Sequence, residues 1–245
     1  MMVLVVGATG ATGKLLVEQL LSRGHQVRVI VRSRDRLPES VRDHARVEIV
    51  EASLFELTDE ELLQHVSGCS GVASCLGHNL TFKGVFGHPR RLVTDATRRL
   101  CRAIEQAKAE TGVKYVLMNT AGNQNRDLAE PASFGNRFVV GLLRWAVPPH
   151  ADNEQASDVL RQKIGKNNSS IPWVVVRPDS LVDLPEVTPY EMYPSPTRDP
   201  IFNAGTTSRI NVAHFMAELI TDEAVWAKWA GRMPVIYNCE ANSSG

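Results

Sequence analysis

Three glycines near the beginning of the chain have a spacing that suits phosphate binding. Gly7, Gly10 and Gly13 form the pattern G-x-x-G-x-x-G between a short apolar run and an amphipathic stretch. In such a turn the first glycine bends the chain, the second leaves room for a pyrophosphate, and the third lets helix and strand pack closely. The phosphates would accept hydrogen bonds from N–H groups at the positive end of the helix. The pattern therefore predicts a dinucleotide site.

Two rival interpretations of this turn compete with a dinucleotide site. Ala11 completes the turn, and Thr9 and Thr12 can add hydroxyl contacts to a phosphate. One rival is a glycine-rich strand-to-helix turn that holds no ligand. The other is a Walker phosphate loop, G-x-x-x-x-G-K-[ST], which the sequence excludes because Ala8 stands at its first glycine and Leu15 follows Lys14.

The end of the second apolar run indicates which dinucleotide is bound. NAD sites place Asp or Glu there to accept hydrogen bonds from the ribose hydroxyls. This chain has Arg32, followed by Arg36, and a guanidinium can bind the 2′-phosphate of NADP(H) with paired, charge-assisted bonds. The competing interpretation is a solvated loop, since Asp35 and Glu39 lie among these arginines. The charge pattern favours NADP(H).

Short apolar runs alternate with longer amphipathic stretches along the chain. The fold class this predicts is α/β, a Rossmann-type doubly wound parallel sheet in a single domain spanning 1–245, with a small irregular C-terminal lobe. Residues 182–210 are predicted to be that proline-rich loop or lobe, and Pro148 and Pro149 are expected to end a helix over 134–147. The strands are predicted at 3–6, 27–31, 47–50, 71–76, 113–118, 173–176 and 235–237. The other helices are predicted from 13 onward and at 60–66, 90–110, 155–166 and 212–221.

The composition restricts the classes of partner. The 245 residues carry equal numbers of acidic and basic side chains, 27 of each, which argues against a nucleic-acid or anionic membrane partner. The four cysteines show no C-x-x-C pair and no zinc spacing, so reduced thiols, no metal and a cytoplasmic location are expected. No apolar run approaches the length of a membrane span. Whether the protein is a monomer or a homodimer stays open.

Several segments together resemble a known family. They are the glycine turn, the segment V-R-S-R-D-R-L-P, the end of the fourth strand at Cys75-Leu76-Gly77, and Arg177-Pro178 at the end of the sixth. They resemble the atypical short-chain dehydrogenase/reductases, in particular the NmrA-like NAD(P)-binding proteins and flavin reductases of the biliverdin reductase B type. The glycine turn and the arginine segment are the specific parts of this resemblance, which runs clearly to about residue 181.

The resemblance implies further contacts with the cofactor. Arg32 and Arg36 would hold the 2′-phosphate, and Ser53 and Leu54 would lie beside the adenine, although the family usually has Asp at the position of Ser53. The residues expected to line the cofactor from the ends of the fourth, fifth and sixth strands are Leu76, Gly77, Asn79, Asn119, Thr120, Ala121, Pro178, Asp179 and Ser180.

The proton-transfer pair of the larger family is not found in the sequence. Typical members use Tyr-x-x-x-Lys, in which Lys lowers the Tyr pKa, but no tyrosine occurs between Tyr115 and Tyr190. The stretch 152–158, where the pair is expected, carries acids instead. Thr120 could replace the family's serine. His78 and His150 are the other candidate proton donors, because histidine titrates near neutrality.

Two functions from different classes remain. The first is an NADPH-dependent reductase that passes a hydride to a flavin or quinone-like acceptor, a reaction in which positioning does most of the work. The alternative is a non-catalytic, NmrA-like regulator or partner-binding protein that senses NADP(H). A sugar-nucleotide epimerase is disfavoured by the missing tyrosine and by the short chain.

Overall fold

The computed structural model describes residues 1–77, 91–128, 130, 148–199 and 203–239. They form an eight-stranded sheet, covered by helices on both faces, and a separate two-stranded sheet. The strands are β1 (Met2–Val6), β2 (Gln26–Val31), β3 (Val47–Glu51), β4 (Cys69–Ser74), β5 (Lys114–Met118), β6 (Trp173–Pro178), β7 (Ser180–Val182), β8 (Tyr190–Tyr193), β9 (Thr206–Ser208) and β10 (Val235–Asn238). The helices are α1 (Ala11–Ser22), α2 (Glu39–Arg42), α3 (Asp59–Val66), α4 (Leu92–Ala107), α5 (Pro148–Asp158), α6 (Arg209–Thr221) and α7 (Glu223–Trp229). A 3₁₀ turn spans Arg34–Arg36, and a π-helical turn at Val159–Ile164 continues α5.

The order of the strands is that of a Rossmann-type sheet. It runs β3-β2-β1-β4-β5-β6-β10-β8, and every neighbouring pair except β10–β8 is parallel. The chain moves outward from β1 to β3 on one side and then restarts with β4 on the other, so the strand order reverses between β1 and β4. Ligands of such sheets bind at the carboxyl ends of the strands at this reversal. The predicted α/β fold class is confirmed.

Both faces of the sheet are buried because alternate residues of each central strand pack against different helices. Val3 and Val5 of β1 belong to the cluster that α1, α6 and α7 cover. Leu4 and Val6 belong to the opposite cluster, covered by α3, α4 and α5. A strand buried on both sides is apolar at every position, which is why the predicted strands were continuous apolar runs.

Local and long-range contacts fix the beginnings of the helices. Thr58 and Glu61 form a reciprocal capping box at the beginning of α3, a local signal that the sequence carries. At the beginning of α4, by contrast, the carboxylate of Asp152 accepts hydrogen bonds from the N–H groups of Val93 and Thr94, at 2.8 and 2.9 Å. The helix α4 is thus capped by a side chain from α5, about 60 residues away in sequence.

Pro148 and Pro149 lie in the first described turn of α5, and whether they end a helix over 134–147 stays a prediction. Proline is tolerated there, since the first N–H groups of a helix have no partner within it. The helix predicted over 155–166 therefore begins earlier and reaches Ile164 as α5 followed by the π-helical turn. The predicted helix over 134–147 lies outside the described residues.

The proline-rich segment is less irregular than its composition indicates. Within it β8 pairs antiparallel with β10 and extends the main sheet, and β9 pairs with β7. Helix α7 was also not predicted from the sequence; it begins where Asp222 accepts hydrogen bonds from the N–H groups of Ala224 and Val225. Among the described helices, none combines the length and apolar character needed to cross a membrane.

Candidate functional site

The glycine turn lies at the point where the strand order reverses. Gly7 follows β1 with a φ of +80°, a conformation that side chains disfavour, and a Cβ atom on it would lie 2.6 Å from the carbonyl carbon and oxygen of Cys75. Gly13 lies in the first turn of α1, where a Cβ atom would be 2.1 Å from the carbonyl oxygen of Gly7. The first and third glycines are therefore required by the backbone itself.

Gly10 differs from its two neighbours in the turn because it faces open space. It directly precedes α1, its N–H donates to the oxygen of Gly7 at 2.9 Å, and that oxygen is the only described atom within 4 Å of a Cβ placed on it. Gly10 and Ala11 are exposed, whereas Thr9 is half-buried and Thr12 is buried. A side chain at Gly10 would project into the space above the positive end of α1, so this space fits a pyrophosphate.

The two arginines expected to bind the 2′-phosphate lie beside this turn. Arg32 directly follows β2, Arg36 ends the 3₁₀ turn, and both side chains are exposed. Among the described residues, neither guanidinium forms an ion pair. The carboxylate of Glu51, at the end of β3, accepts a hydrogen bond from the N–H of Arg34 at 3.2 Å and so shapes the turn. The structure thus places two guanidinium groups at the predicted ribose end of the site.

Ser53 and Leu54 follow β3 on the same edge of the sheet. Leu54 is buried at 7% exposure, and its carbonyl oxygen accepts a hydrogen bond from Arg99 of α4 at 2.6 Å. The carbonyl of Ser53 accepts from the N–H groups of Glu56 and Leu57, which closes a turn. These bonds fix the segment where the resemblance implies the adenine, and the Leu54 side chain packs into the core.

Leu76 and Gly77 lie just after β4, which ends at Ser74 rather than at the predicted Leu76. The N–H of Cys75 donates to the oxygen of Val6 at 2.9 Å, which holds this segment against the end of β1. Leu76 is half-buried and Gly77 is exposed, with no described atom within 4 Å of a Cβ placed on it. Both residues thus border the space above the glycine turn.

Asn119 organises the end of β5 with its side chain. It is 7% exposed; its amide donates to the carbonyl of Asn153 at 2.9 Å, and its oxygen accepts from the N–H of Thr120 at 2.9 Å. Asn123 extends this network with a bond of 2.7 Å to the hydroxyl of Ser157. Asn119 is therefore a positioning residue that orients Thr120, rather than a group exposed to a ligand.

Thr120 and Ala121 follow Asn119 in the loop after β5. The Thr120 hydroxyl oxygen accepts from the N–H of Gly122 at 3.4 Å, and among the described residues it donates to none. The N–H of Ala121 donates to the oxygen of Pro178 at 2.8 Å, which joins the ends of β5 and β6.

Helix α5, beside this loop, carries the stretch 152–158, where the Tyr-x-x-x-Lys pair of the larger family is expected. Glu154 and Asp158 of α5 form ion pairs with Arg126 of the loop after β5. Asn153, through its carbonyl, and Ser157, through its hydroxyl, also bond to that loop. They are four residues apart, the spacing of the Tyr and Lys in that pair, and so lie on one face of the helix.

Asp179 fixes the loop that leaves β6. Its carboxylate accepts from the N–H of Ser180 at 2.9 Å and from the N–H of Gly205 at 2.8 Å. Burial raises the pKa of this carboxyl, and the two N–H donors oppose that rise. Pro178 is buried and Ser180 is exposed at the same edge. Asp179 therefore stabilises the loop. Of Pro178, Asp179 and Ser180, only Ser180 is exposed.

Arg177 is a residue whose importance the sequence did not reveal. It is fully buried and binds the carboxylate of Glu130 through two nitrogens, at 2.7 and 3.1 Å. It also donates to the carbonyl oxygens of Asn123, Met233 and Pro194. The signal available in the sequence was a charged residue at the end of the otherwise apolar run W-V-V-V-R-P. Arg177 ties the loop after β5 to β6, β8 and β10.

Some predicted site residues cannot be located. His78 and Asn79 lie outside the described residues, and nothing is described of the His150 side chain. Among the parts of the chain that are described, no group of three or more His, Cys, Asp or Glu side chains is arranged to hold a metal ion.

Comparisons with known proteins agree with this geometry. Residues 7–223 match the family model described as NAD(P)H-binding. A chloroplastic protein of Arabidopsis thaliana, itself uncharacterized, is 29% identical over 225 residues, which cover 90% of this chain and 72% of that protein. The cytoplasmic location of the present chain stays a prediction.

Solved structures share the fold at low sequence identity. An oxidoreductase of Lactococcus lactis superposes with a TM-score of 0.69 at 17% identity, covering 98% of this chain and 92% of that one. A short-chain dehydrogenase/reductase of Veillonella parvula in complex with NADP gives 0.69 at 18%, covering 98% and 95%. A Streptococcus pneumoniae protein proposed to be an NADH-flavin reductase gives 0.65 at 21%, covering 98% and 100%. With the glycine turn at the strand reversal and the family match over most of its length, the chain belongs to the NAD(P)H-binding family.

Proposed function

We propose that the protein is an NADPH-dependent oxidoreductase that reduces a flavin or a quinone-like acceptor. The observation that carries the proposal is the pairing, at one sheet edge, of the open Gly10 turn with the exposed Arg32 at the end of β2. The turn suits a pyrophosphate, and the guanidinium suits the phosphate that distinguishes NADPH from NADH. The similar Veillonella protein that binds NADP supports the same cofactor.

The preference for NADPH follows from local charge. A carboxylate at the end of β2 would repel a 2′-phosphate, and Arg32 stands there instead. Arg36, two residues beyond Arg34 in the 3₁₀ turn, brings a second positive charge to the same loop. Glu51, an acid at the end of β3, accepts the N–H of Arg34, so its charge is partly compensated.

The choice of acceptor follows from the residues at the other end of the site. Asn153 and Ser157 bond from α5 to the loop after β5 at the Tyr-x-x-x-Lys spacing, and neither can act as the tyrosinate of carbonyl reduction. NADPH supplies a hydride, and a flavin or quinone that accepts it can take its proton from solvent. The protein then needs to hold two planar groups together and exclude water. We expect the Thr120 hydroxyl, which accepts from the N–H of Gly122, to donate a hydrogen bond to one of them.

The alternative is an NADP(H)-sensing protein without turnover. The sensing function is favoured because Asn153 and Ser157 themselves carry no acidic or basic side chain. It differs in its expected behaviour, because such a protein binds NADPH tightly and leaves it unoxidised in the presence of acceptors.

The experiment is a steady-state assay of NADPH absorbance with FMN, riboflavin and menadione as separate acceptors. Reductase function predicts saturable NADPH oxidation with at least one acceptor. It also predicts no rate above background for the Gly10→Val variant, in which a side chain occupies the pyrophosphate space. NADPH binding to wild type without oxidation by any acceptor would support the sensing function instead.

A further inference from the structure

A pocket of about 580 Å³ lies at the carboxyl edge of the sheet, beyond β6. Val235 and Ile236 of β10 lie opposite Arg177 and Pro178 of β6, so the next residue, Tyr237, is just past the end of β6. Tyr193 of β8 lies opposite Val235. The pocket is lined by residues of these two strands and of the segment before β9, among them Tyr193, Thr197, Arg198, Gly205, Tyr237 and Cys239.

The aromatic side of the pocket packs against the loop that carries Thr120. Ala121, which follows Thr120, packs in one apolar cluster with Val235, Tyr237 and Tyr193. Neighbouring strands are about 5 Å apart, so β10 lies about 10 Å from β5 across β6. A fused-ring acceptor is about as long as this distance, so we expect an acceptor that contacts Tyr237 to extend toward the end of β5.

Tyr237 has an unmet hydrogen-bonding capacity. The residue is 5% exposed, and its hydroxyl has no hydrogen-bond partner of acceptable geometry in the described parts of the chain. Thr197 and the backbone of Arg198 lower the pKa of this phenol, but burial raises it more, so the group keeps its proton at neutral pH. A buried donor of this kind is normally paired with an acceptor. The Tyr193 hydroxyl, by contrast, donates to the carboxylate of Glu191.

The rings of the two tyrosines form an aromatic wall of the pocket. Their centres are 6.1 Å apart with a tilt of 54°. Gly205 packs directly against the Tyr237 ring, since a Cβ atom there would be 2.4 Å from Tyr237 Cδ1. The ring is thus held in place from behind, and planar aromatic groups bind well against such a surface.

We propose that this pocket binds the electron acceptor, that the acceptor is a planar aromatic ring bearing a carbonyl oxygen, and that the Tyr237 hydroxyl donates a hydrogen bond to that oxygen. The inference rests on the proposed reductase function and names its acceptor site. Tyr237 determines specificity in this scheme, since rings that lack the carbonyl leave the buried hydroxyl unpaired.

The test measures binding without turnover. Riboflavin and menadione are titrated into the protein saturated with NADP⁺, and the Kd is obtained from fluorescence quenching or calorimetry. Tyr237→Phe keeps the ring and removes the hydroxyl; Tyr193→Phe is the matched control, with the same chemical change in the same pocket. We expect Tyr237→Phe to raise the Kd roughly three- to tenfold and Tyr193→Phe to leave it within about twofold. NADP⁺ affinity should be unchanged in both variants.

A second readout uses Cys239, which is exposed and lines the pocket. Bound riboflavin should slow the reaction of this thiol with Ellman's reagent in wild type, and the concentration for half-protection should rise in Tyr237→Phe. Gly205→Ala, which displaces the Tyr237 ring, should weaken riboflavin binding as well.

The outcomes separate this inference from the reductase function. Weaker acceptor binding in Tyr237→Phe alone supports the pocket, even if wild type fails to oxidise NADPH. If neither probe binds wild type, or if both variants keep the wild-type Kd, the pocket assignment is overturned, even if NADPH is oxidised.

Discussion

Gly13 lies so close to Gly7 that a Cβ atom on Gly13 would be 2.1 Å from the Gly7 carbonyl oxygen. This contact joins the first turn of α1 to the end of β1. It places the positive end of the helix directly above the strand reversal, where a pyrophosphate would bind.

We therefore expect Gly13→Ala to destabilise the fold. The clash is with backbone, which cannot move away as a side chain would, so the free energy of unfolding should fall by about 3 kcal/mol. Urea denaturation measures this change. Gly77→Ala is the control, because no described atom lies within 4 Å of its Cβ position, and its effect should stay within about 0.5 kcal/mol. Equal stability of the two variants would contradict this packing.

Gly10→Val should abolish dinucleotide binding while leaving the chain folded. The added side chain meets Gly7 O at a distance of 3.2 Å from its Cβ and otherwise fills the space assigned to the pyrophosphate. Circular dichroism should match wild type, and an NADPH titration should show no saturable binding. An unchanged NADPH affinity would mean that the turn holds no dinucleotide.

Arg32→Asp should reverse the cofactor preference. Loss of a charge-assisted bond, worth about 1.5–3 kcal/mol, lowers NADPH affinity about tenfold to a hundredfold. The new carboxylate repels the 2′-phosphate and accepts from the free ribose hydroxyls of NADH. Calorimetric affinities of both cofactors measure the change. Arg102→Asp makes the same charge change on α4, where the side chain is 61% exposed, and should leave both affinities unaltered. If wild type binds NAD as tightly as NADP, these arginines do not bind the 2′-phosphate and belong to a solvated loop.

Arg177→Met should be among the most destabilising single substitutions. It leaves the Glu130 carboxylate, which is 3% exposed, buried without its ion-pair partner. Breaking a buried pair in this way costs about 3–5 kcal/mol. In Arg177→Met with Glu130→Leu, part of that stability should return, although three carbonyl oxygens stay unpaired. Arg102→Met, which removes an exposed ion pair with Asp59, should cost about 1 kcal/mol or less. Chemical denaturation of all three variants distinguishes these cases.

The cysteines should differ sharply in reactivity. Burial raises the pKa of the Cys101 and Cys75 thiols to about 12 and raises that of Cys69 as well, whereas Cys239 is exposed. At about pH 8 the buried thiols carry very little thiolate, which is the reactive form. We expect one fast-reacting thiol per chain with Ellman's reagent, and none in Cys239→Ser until the protein is denatured. A fast phase that persists in Cys239→Ser would contradict the low thiolate content of the other three, of which Cys75 is only partly buried.

Much of the sheet could be predicted because its signals are local. A central strand buried on both faces is a continuous apolar run, and the strands β1, β2, β5 and β6 were each predicted within one or two residues at either end. The glycine turn and Arg32 are local in the same sense. Their positions follow from the end of the strand before them.

The remaining features depend on contacts between segments that are distant in sequence. The strand β8 is short, polar and surrounded by prolines, and it is a strand only because β10 lies beside it to pair with it. Asp152 caps α4 and Glu130 neutralises Arg177, and neither pairing has a sequence spacing from which it could be predicted. The tyrosine pocket also depends on contacts between distant segments, since Tyr193 and Tyr237 meet only after β8 has joined the sheet. The sequence alone predicted a dinucleotide site at the end of β1 and a positive charge at its ribose. Only the tertiary structure decided what lies at the other end of the site, because buried polar groups take their partners from whichever segments the completed sheet brings beside them.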